Sequence, residues 1–313
     1  MKVGGIFLRL IERKLPSKIL VLDALNRRAR NETVSNLLKR AVIGYEGELK
    51  VDRVWEEIGL SHESLLYHNY ETNKHQIDTL FVSRHFIFVV EIKTVSGYIW
   101  YEKEKHQFLR KRKSGEIESF QSPIEQVKRN ADMIERVVEG LGLSMPIYKA
   151  VVIAEPSTVI GRIPDEIPIF HAIGLRSEIK KLLLRYSTNL LPTVHFELLV
   201  DCLMKLYQPS KYWPRFELPP IRKGALCTCG RVMTYKRGFI CVCGNKSNEA
   251  LLQGLHDYRV LISEWITNRE FRDFFFIESE DAANKLMKRM QFTHKGSTRD
   301  RRYLIPKDIW RDL

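Results

Sequence analysis

Residues 75–94, HQIDTLFVSRHFIFVVEIKT, decide how this chain folds. Two apolar runs rich in β-branched and aromatic residues flank Ser83-Arg84-His85, which is the pattern of two strands and a tight turn. Three ionisable residues, Asp78, Glu91 and Lys93, interrupt those runs. A two-residue loop at Arg84-His85 places position 78 across the antiparallel ladder from 91. Strand alternation then puts Lys93 on the face of Glu91 and turns Ile92 away. Buried charge is costly unless paired or bound to a metal. The cluster reads either as a Glu–Lys ion pair at a solvated strand end or as two metal-binding carboxylates beside a lysine.

Outward from the hairpin, residues 44–58 carry Tyr45, Leu49, Val54, Trp55 and Ile58 on a helical stripe that faces a core. Glu48 falls in the first turns of that segment, where the helix dipole favours a carboxylate. Downstream, Gly97–Trp100 and the alternating Gln107–Arg110 predict a small hairpin with a basic tip (Lys103, Lys105, Arg110, Lys111, Arg112, Lys113), a solvated turn or a phosphate-contacting arm. Ser122-Pro123 is a cap with proline at the first helical position, opening a helix with Ile124, Val127, Ala131, Ile134, Val137 and Val138 on one side. Residues 146–154 predict a closing apolar strand.

The order Gly44-x-x-Gly47-Glu48, Gln76-Ile77-Asp78, Val90-Glu91-Ile92-Lys93-Thr94 and Ser122-Pro123-x-x-Gln126 resembles the nuclease-related domain family, a bacterial branch of the restriction-endonuclease-like PD-(D/E)xK superfamily. The resemblance covers about residues 42–154. It implies an α/β fold with an αβββαβ core, and an active site made of Glu48, Asp78, Glu91, Lys93 and Gln126. It also implies that Asp78 and Glu91 hold Mg²⁺ or Mn²⁺, with Glu48 completing the shell, Lys93 orienting or deprotonating the attacking water, and Gln126 positioning water or phosphate. Without the resemblance, Glu48 reads as a dipole-stabilising residue and Gln126 as an exposed helix glutamine.

At 313 residues the chain can bury two cores, and 44% hydrophobic with 28% charged residues is ordinary globular composition. A formal charge of +13 favours nucleic acid as partner. No apolar run is long enough for a membrane span, and the charges at Arg9, Glu12, Arg13 and Lys14 exclude a signal peptide, so a cytoplasmic protein is expected. No Walker-type phosphate loop and no Ser-His-Asp context is present in the sequence. The expected organisation is an N-terminal helical segment at 1–40 packed on the sheet, a nuclease-like domain at 41–207, a Pro-rich linker at 208–224, a zinc ribbon at 225–246 and a helical domain at 247–313. Arg27-Arg28-Ala29-Arg30 reads as a solvated helix face, and Cys202 as a buried small apolar residue.

Cys227-Thr228-Cys229-Gly230 and Cys241-Val242-Cys243-Gly244 are bridged by eleven residues with a hairpin pattern. Four thiolates suit structural Zn²⁺, and the arrangement is similar to a zinc ribbon, although C-x-C replaces the usual C-x-x-C. A metal-free ribbon and two disulfides are the alternatives. Beyond it come a helix over 249–265, a capping box at Thr267/Glu270, a helix over 282–290 and a basic hairpin. These resemble a winged helix-turn-helix. In that reading Asn284, Lys285, Lys288 and Arg289 face the major groove, and Lys295, Arg299, Arg301 and Arg302 meet phosphates. A protein-docking helical domain is the other reading. The function expected is a metal-dependent DNA endonuclease, RNA being open as well, working beside a helicase or other DNA-processing protein. The alternative is a non-catalytic DNA-binding protein that keeps the fold as scaffold.

Overall fold

The loop at Arg84-His85 closes the hairpin. The Ser83 N–H donates to the Phe86 carbonyl at 3.0 Å, and the Ser83 hydroxyl accepts from the Phe86 N–H at 3.1 Å. The register that follows pairs Val82 with Ile87, Phe81 with Phe88, Leu80 with Val89 and Thr79 with Val90. Continued by one residue, it sets 78 opposite 91.

The structure is a computed structural model that describes residues 9–60, 63–188, 190–218, 220–297 and 300–310. In chain order its elements are β1 (Arg9–Ile11), α1 (Ser17–Ala29), α2 (Glu32–Glu56), β2 (Ser64–Glu71), β3 (Gln76–Ser83), β4 (Ile87–Lys93), β5 (Tyr98–Glu102), β6 (Gln107–Lys111), β7 (Ile117–Phe120), α3 (Pro123–Gly140), β8 (Ile147–Ile153), β9 (Val159–Ile160), β10 (Ile169–His171), α4 (Leu175–Arg185), α5 (Thr193–Leu206), β11 (Thr234–Tyr235), β12 (Phe239–Ile240), α6 (Glu249–Leu261), β13 (Trp265–Thr267), α7 (Asn268–Phe275), α8 (Glu280–Arg289), β14 (His294–Lys295) and β15 (Arg302–Leu304). Contacts divide the chain into two compact units, Met1–Leu15 with Ala41–Lys211 and Pro16–Arg40 with Tyr212–Leu313. Among the described residues no helix is long and apolar enough to cross a membrane.

The first unit is mixed α/β around a six-stranded sheet of order β1-β2-β3-β4-β8-β10. β2, β3 and β4 are antiparallel, and β8 runs parallel to β4. A parallel pair needs a crossover, which α3 supplies. The order from α2 to β8 is therefore αβββαβ, with β5–β7 inserted ahead of α3 and joined by β9 into a separate four-stranded sheet. Leu80, Val82, Ile87 and Val89 pack against Ile124, Val127 and Ile134 of α3 and Leu199 of α5. Phe81, Phe88 and Val90 pack on the other face with Val51 and Trp55 of α2 and Ile179 of α4. Coverage on both faces explains why the motif strands read as continuous apolar runs.

In the second unit α1 packs on α6, whereas the sequence reading placed the N-terminal helices on the large sheet. The decisive contact is ionic. Asp257 of α6 is fully buried and takes Arg28 Nε at 2.7 Å and Arg27 Nη2 at 2.7 Å. Arg28 also donates to the Arg222 and Gly224 carbonyls and lies 4.9 Å from the Phe274 ring. Arg27 and Arg28 are thus not on a solvated face, since the buried Asp257 recruits both, while Arg30 stays exposed and donates to the Gly230 carbonyl. α6 stops at Leu261 instead of reaching Trp265, because Trp265–Thr267 forms a strand with Arg302–Leu304. The capping box at Thr267/Glu270 is present, and Ser279 caps α8 through the Ala282 N–H. The sheet order here is β13-β15-β14, and the core gathers Phe271, Phe274, Phe275, Leu255, Ile266 and Met287. Cys202, in α5 of the first unit, is half-buried where full burial was expected.

Candidate active site and cysteine cluster

The ladder between β3 and β4 ends at Thr79–Val90, one pair short of Asp78–Glu91. Asp78 turns its carboxylate into the gap, where Oδ2 accepts the Ile92 N–H at 2.7 Å. On the other side of β3 the register with β2 also skips Asp78. His68 pairs with Thr79 and Tyr70 with Ile77, while Asn69 between them adopts φ 58°. Asparagine tolerates that left-handed conformation better than most residues. Asp78 is therefore left out of the ladder on both sides.

By alternation, Glu91 and Lys93 share the β4 face that carries Ile87 and Val89 and packs on α3. Lys93 Nζ donates to Glu91 Oε1 at 2.6 Å and to Gln126 Oε1 at 3.2 Å. Gln126 stands there because α3 begins as its sequence dictates: Ser122 caps the Glu125 N–H, and Pro123 occupies the first turn. Glu91 is 1% exposed, and its second oxygen, Oε2, is buried without any hydrogen-bond partner.

Glu48 is not in a first helical turn, because α2 begins at Glu32. The dipole therefore does not hold it. Arg13 does: its Nη1 lies 2.7 Å from Glu48 Oε2. The same guanidinium grips Asp52 through Nε at 2.7 Å and Nη2 at 3.1 Å, and gives Nη2 to the Asp78 carbonyl at 2.7 Å. His68 Nδ1 completes the network 2.9 Å from Asp52 Oδ1. Arg13, Asp52 and His68 escaped the sequence reading, since Glu12-Arg13-Lys14 has the local look of a solvated charged stretch. Among the described residues, Asp78, Glu91 and Glu48 do not bring three ligand atoms within 4.8 Å of one another.

Burial pushes the Glu91 carboxyl well above its usual range, and the Asp78 charge adds to the effect. Burial likewise raises Asp78, against the pull of Lys93. Glu48 is raised to about 8 by burial and then by Asp78, despite Arg13. Burial acts against the Lys93 ammonium, but Glu91 and Asp78 outweigh it and hold it charged. Burial would raise Asp52 too, yet hydrogen bonds from His68 and Arg13 keep it low. Carboxylates that resist ionisation beside an oxygen with no donor fit a hard cation, whose ligands are such oxygens.

Residues 43–154 match the family model of the nuclease-related domain. The matched stretch contains Glu48, Asp78, Glu91, Lys93 and Gln126, and it leaves out Arg13 and the cysteines. Neither a curated protein nor a solved structure gives a match. Within the matched stretch, the G-x-x-G-E motif has a steric reason. A Cβ on Gly47 would lie 1.7 Å from Thr94 Oγ1 and 2.8 Å from Thr94 Cβ, so only glycine lets α2 approach the end of β4. Gly47→Ala is expected to lower the denaturation midpoint, because overpacking of about 1–3 kcal/mol exceeds the helix-propensity gain of about 1 kcal/mol. Thr94→Ala in the same chain should recover part of the loss. In the basic tip of the β5–β7 insertion Arg110 and Arg112 both pair with Glu118 and Lys103 pairs with Glu166, while Lys105, Lys111 and Lys113 are exposed.

In the second unit the four cysteines converge. Their sulfurs lie within 4.8 Å of one another, with Cys227–Cys243 at 3.7 Å and Cys229–Cys241 at 3.5 Å. A tetrahedron with Zn–S arms of about 2.3 Å has edges of about 3.8 Å, so the cluster could hold a metal such as zinc. These separations exceed an S–S bond of about 2.05 Å, and the cysteines are free. The short C-x-C knuckles close because Gly230 and Gly244 adopt φ 79° and 88° and return their N–H groups to the Cys227 and Cys241 carbonyls. The Cys229 backbone N–H and then the Asn245 amide pull the Cys227 thiol down to about 6, whereas Cys241, despite the Cys243 backbone N–H, is pushed up to about 12 by burial and the neighbouring thiols.

The basic residues expected to meet DNA divide. Lys285, Lys288 and Arg289 on α8 and Arg302 on β15 are exposed. Lys295 is exposed on β14 but sits 4.0 Å over the Trp265 ring. Arg301 is half-buried, with Nε enclosed. Asn284 turns toward α7, accepting from Asn268 at 2.8 Å, and so is not part of the outward face. Arg299 lies outside the described residues.

Proposed function

We propose that this chain is a metal-dependent nuclease that hydrolyses DNA phosphodiester bonds at the Asp78–Glu91–Lys93 site. The observation that carries the reading is the partnerless Glu91 Oε2, buried beside Asp78 and beneath a lysine already bound to Glu91 and Gln126. Asp78, Glu91 and the carbonyl of Ile92 would hold Mg²⁺ or Mn²⁺. When bound, such an ion supplies Lewis acidity that offsets phosphate charge and makes water more acidic. Lys93 stabilises the charge that develops on phosphate and orients the attacking water, and it is held charged and aimed by Glu91 and Gln126. Gln126 fixes Lys93 through its Oε1 and leaves its amide nitrogen to position phosphate or water. Glu48 stands one step back, within reach of a bridging water.

The second unit is the DNA reader in this proposal. Helix, strand, helix, helix and hairpin, with sheet order β13-β15-β14, support a reading as a winged helix-turn-helix in which α8 would enter the major groove and β14–β15 would be the wing. The cysteine cluster supports a structural Zn²⁺ beside it. The test is incubation of the zinc-loaded protein with plasmid and linear DNA in Mg²⁺, Mn²⁺ or EDTA. Cleavage that needs the divalent ion is expected; binding without cleavage in any metal would leave the non-catalytic scaffold as the better reading. Changing Lys285, Lys288 and Arg302 to Gln is expected to weaken DNA binding and to reduce its salt slope by about one per lost phosphate contact. Unchanged affinity at every salt concentration would make this unit a protein-docking module instead.

A further inference from the structure

We propose that Arg13 is a positioning residue that holds Glu48 back from Asp78 and Glu91, and so restricts the carboxylate site to a single divalent cation. The inference rests on the reading of Asp78 and Glu91 as cation ligands. Arg13 reaches the site through backbone register. β1 runs parallel to β2 with Ile11 opposite Tyr67, so the chain two residues later arrives beside Asn69, the left-handed residue next to Asp78. Its side chain is 1% exposed. Three nitrogens serve four acceptors: both oxygens of Asp52, Glu48 Oε2 and the Asp78 carbonyl. Lysine, with all its donors on one atom, could not span them.

Two consequences follow. Glu48 is drawn toward Arg13, in keeping with its absence from any group of three converging ligands. Charge balance points the same way. Arg13 and Lys93 already set two positive charges against the carboxylates of Glu48, Asp52 and Glu91, so a second divalent ion would meet little uncompensated negative charge. Glu48 released from Arg13 would bring a third carboxylate into the shell and remove a positive charge from beside it.

The experiment is Mn²⁺ titration of zinc-loaded protein by calorimetry, with electron paramagnetic resonance to detect coupled Mn²⁺ pairs. The parent is expected to bind one Mn²⁺, and Asp78→Asn to lose it. Glu48→Gln should change affinity by less than about threefold, since Glu48 faces Arg13 and gives the ion no ligand atom of its own. Arg13→Gln should bind Mn²⁺ about tenfold tighter or more, the effect of removing a nearby like charge, and should admit a second ion. A merely structural arginine gives the opposite sign, because a loosened site binds the ion more weakly. Should Arg13→Gln fail to fold, Glu48→Gln decides alone. A tenfold weaker Glu48→Gln, two ions on the parent, or an Arg13→Gln no tighter than the parent overturns the role of Arg13 and leaves the nuclease reading standing. A parent that binds no Mn²⁺ overturns both.

Discussion

Asp78→Asn or Lys93→Ala is expected to lower metal-dependent cleavage by about 10²–10³-fold or more, the usual cost of removing a group that stabilises transition-state charge. DNA affinity should stay within about twofold, because most of it comes from phosphate contacts made elsewhere. A second readout separates this from simple damage. The site crowds carboxylates whose ionisation burial opposes, so Asp78→Asn should raise the melting temperature of the cation-free protein while it removes activity. The pH dependence has a definite sign. Glu48 has a folded pKa of about 8 against an ordinary 4.5, so the folded chain keeps a proton that the unfolded chain releases. Its stability contribution is complete below about 4.5 and is lost as pH rises to about 8. Mg²⁺ or Mn²⁺ should offset that loss, and melting curves at pH 5 and pH 8, each with and without the ion, measure it. A variant that cuts DNA as the parent does would remove Asp78 from the chemistry.

Removing metal from the cysteine cluster is expected to have the other large effect. Elemental analysis should find one zinc per chain. Chelation, or Cys227→Ser with Cys243→Ser, should unfold the segment around β11 and β12, since structural zinc binding is worth about 10–16 kcal/mol in small zinc domains. Cys227 and Cys241 lie in one core with Met233, Phe239 and Phe275, so the loss should propagate into α7 and be visible as reduced helical signal. The first unit should keep its own melting transition. Protein that contains no zinc and titrates with four reactive thiols would overturn the metal assignment.

The local sequence determined a good deal. The hairpin at Arg84-His85, its register, the Ser122-Pro123 helix start that delivers Gln126, the capping box at Thr267/Glu270 and the two glycine-closed cysteine knuckles are all dictated by residues a few positions apart. Turn chemistry, strand alternation and helix caps act at that range, so reading the chain was enough to find them. The remainder depended on contacts between distant segments. No local pattern marks Arg13 as the partner of Glu48 and Asp52, because an arginine in a charged stretch looks solvated until β1 pairs with β2. Nor could alternation foresee that Asn69 and Asp78 drop out of their ladders and turn the carboxylate toward the Ile92 N–H. Arg27 and Arg28 read as exposed for the same reason: their acceptor, Asp257, arrives only when α6 packs on α1. Glu48 was picked out by motif but given the wrong support, since the twelve residues before Gly44 also prove helical and leave the dipole far behind it. Short-range preferences chose the elements and most of the site residues. Buried charge, which must find its partner wherever the fold supplies one, decided how those residues are held.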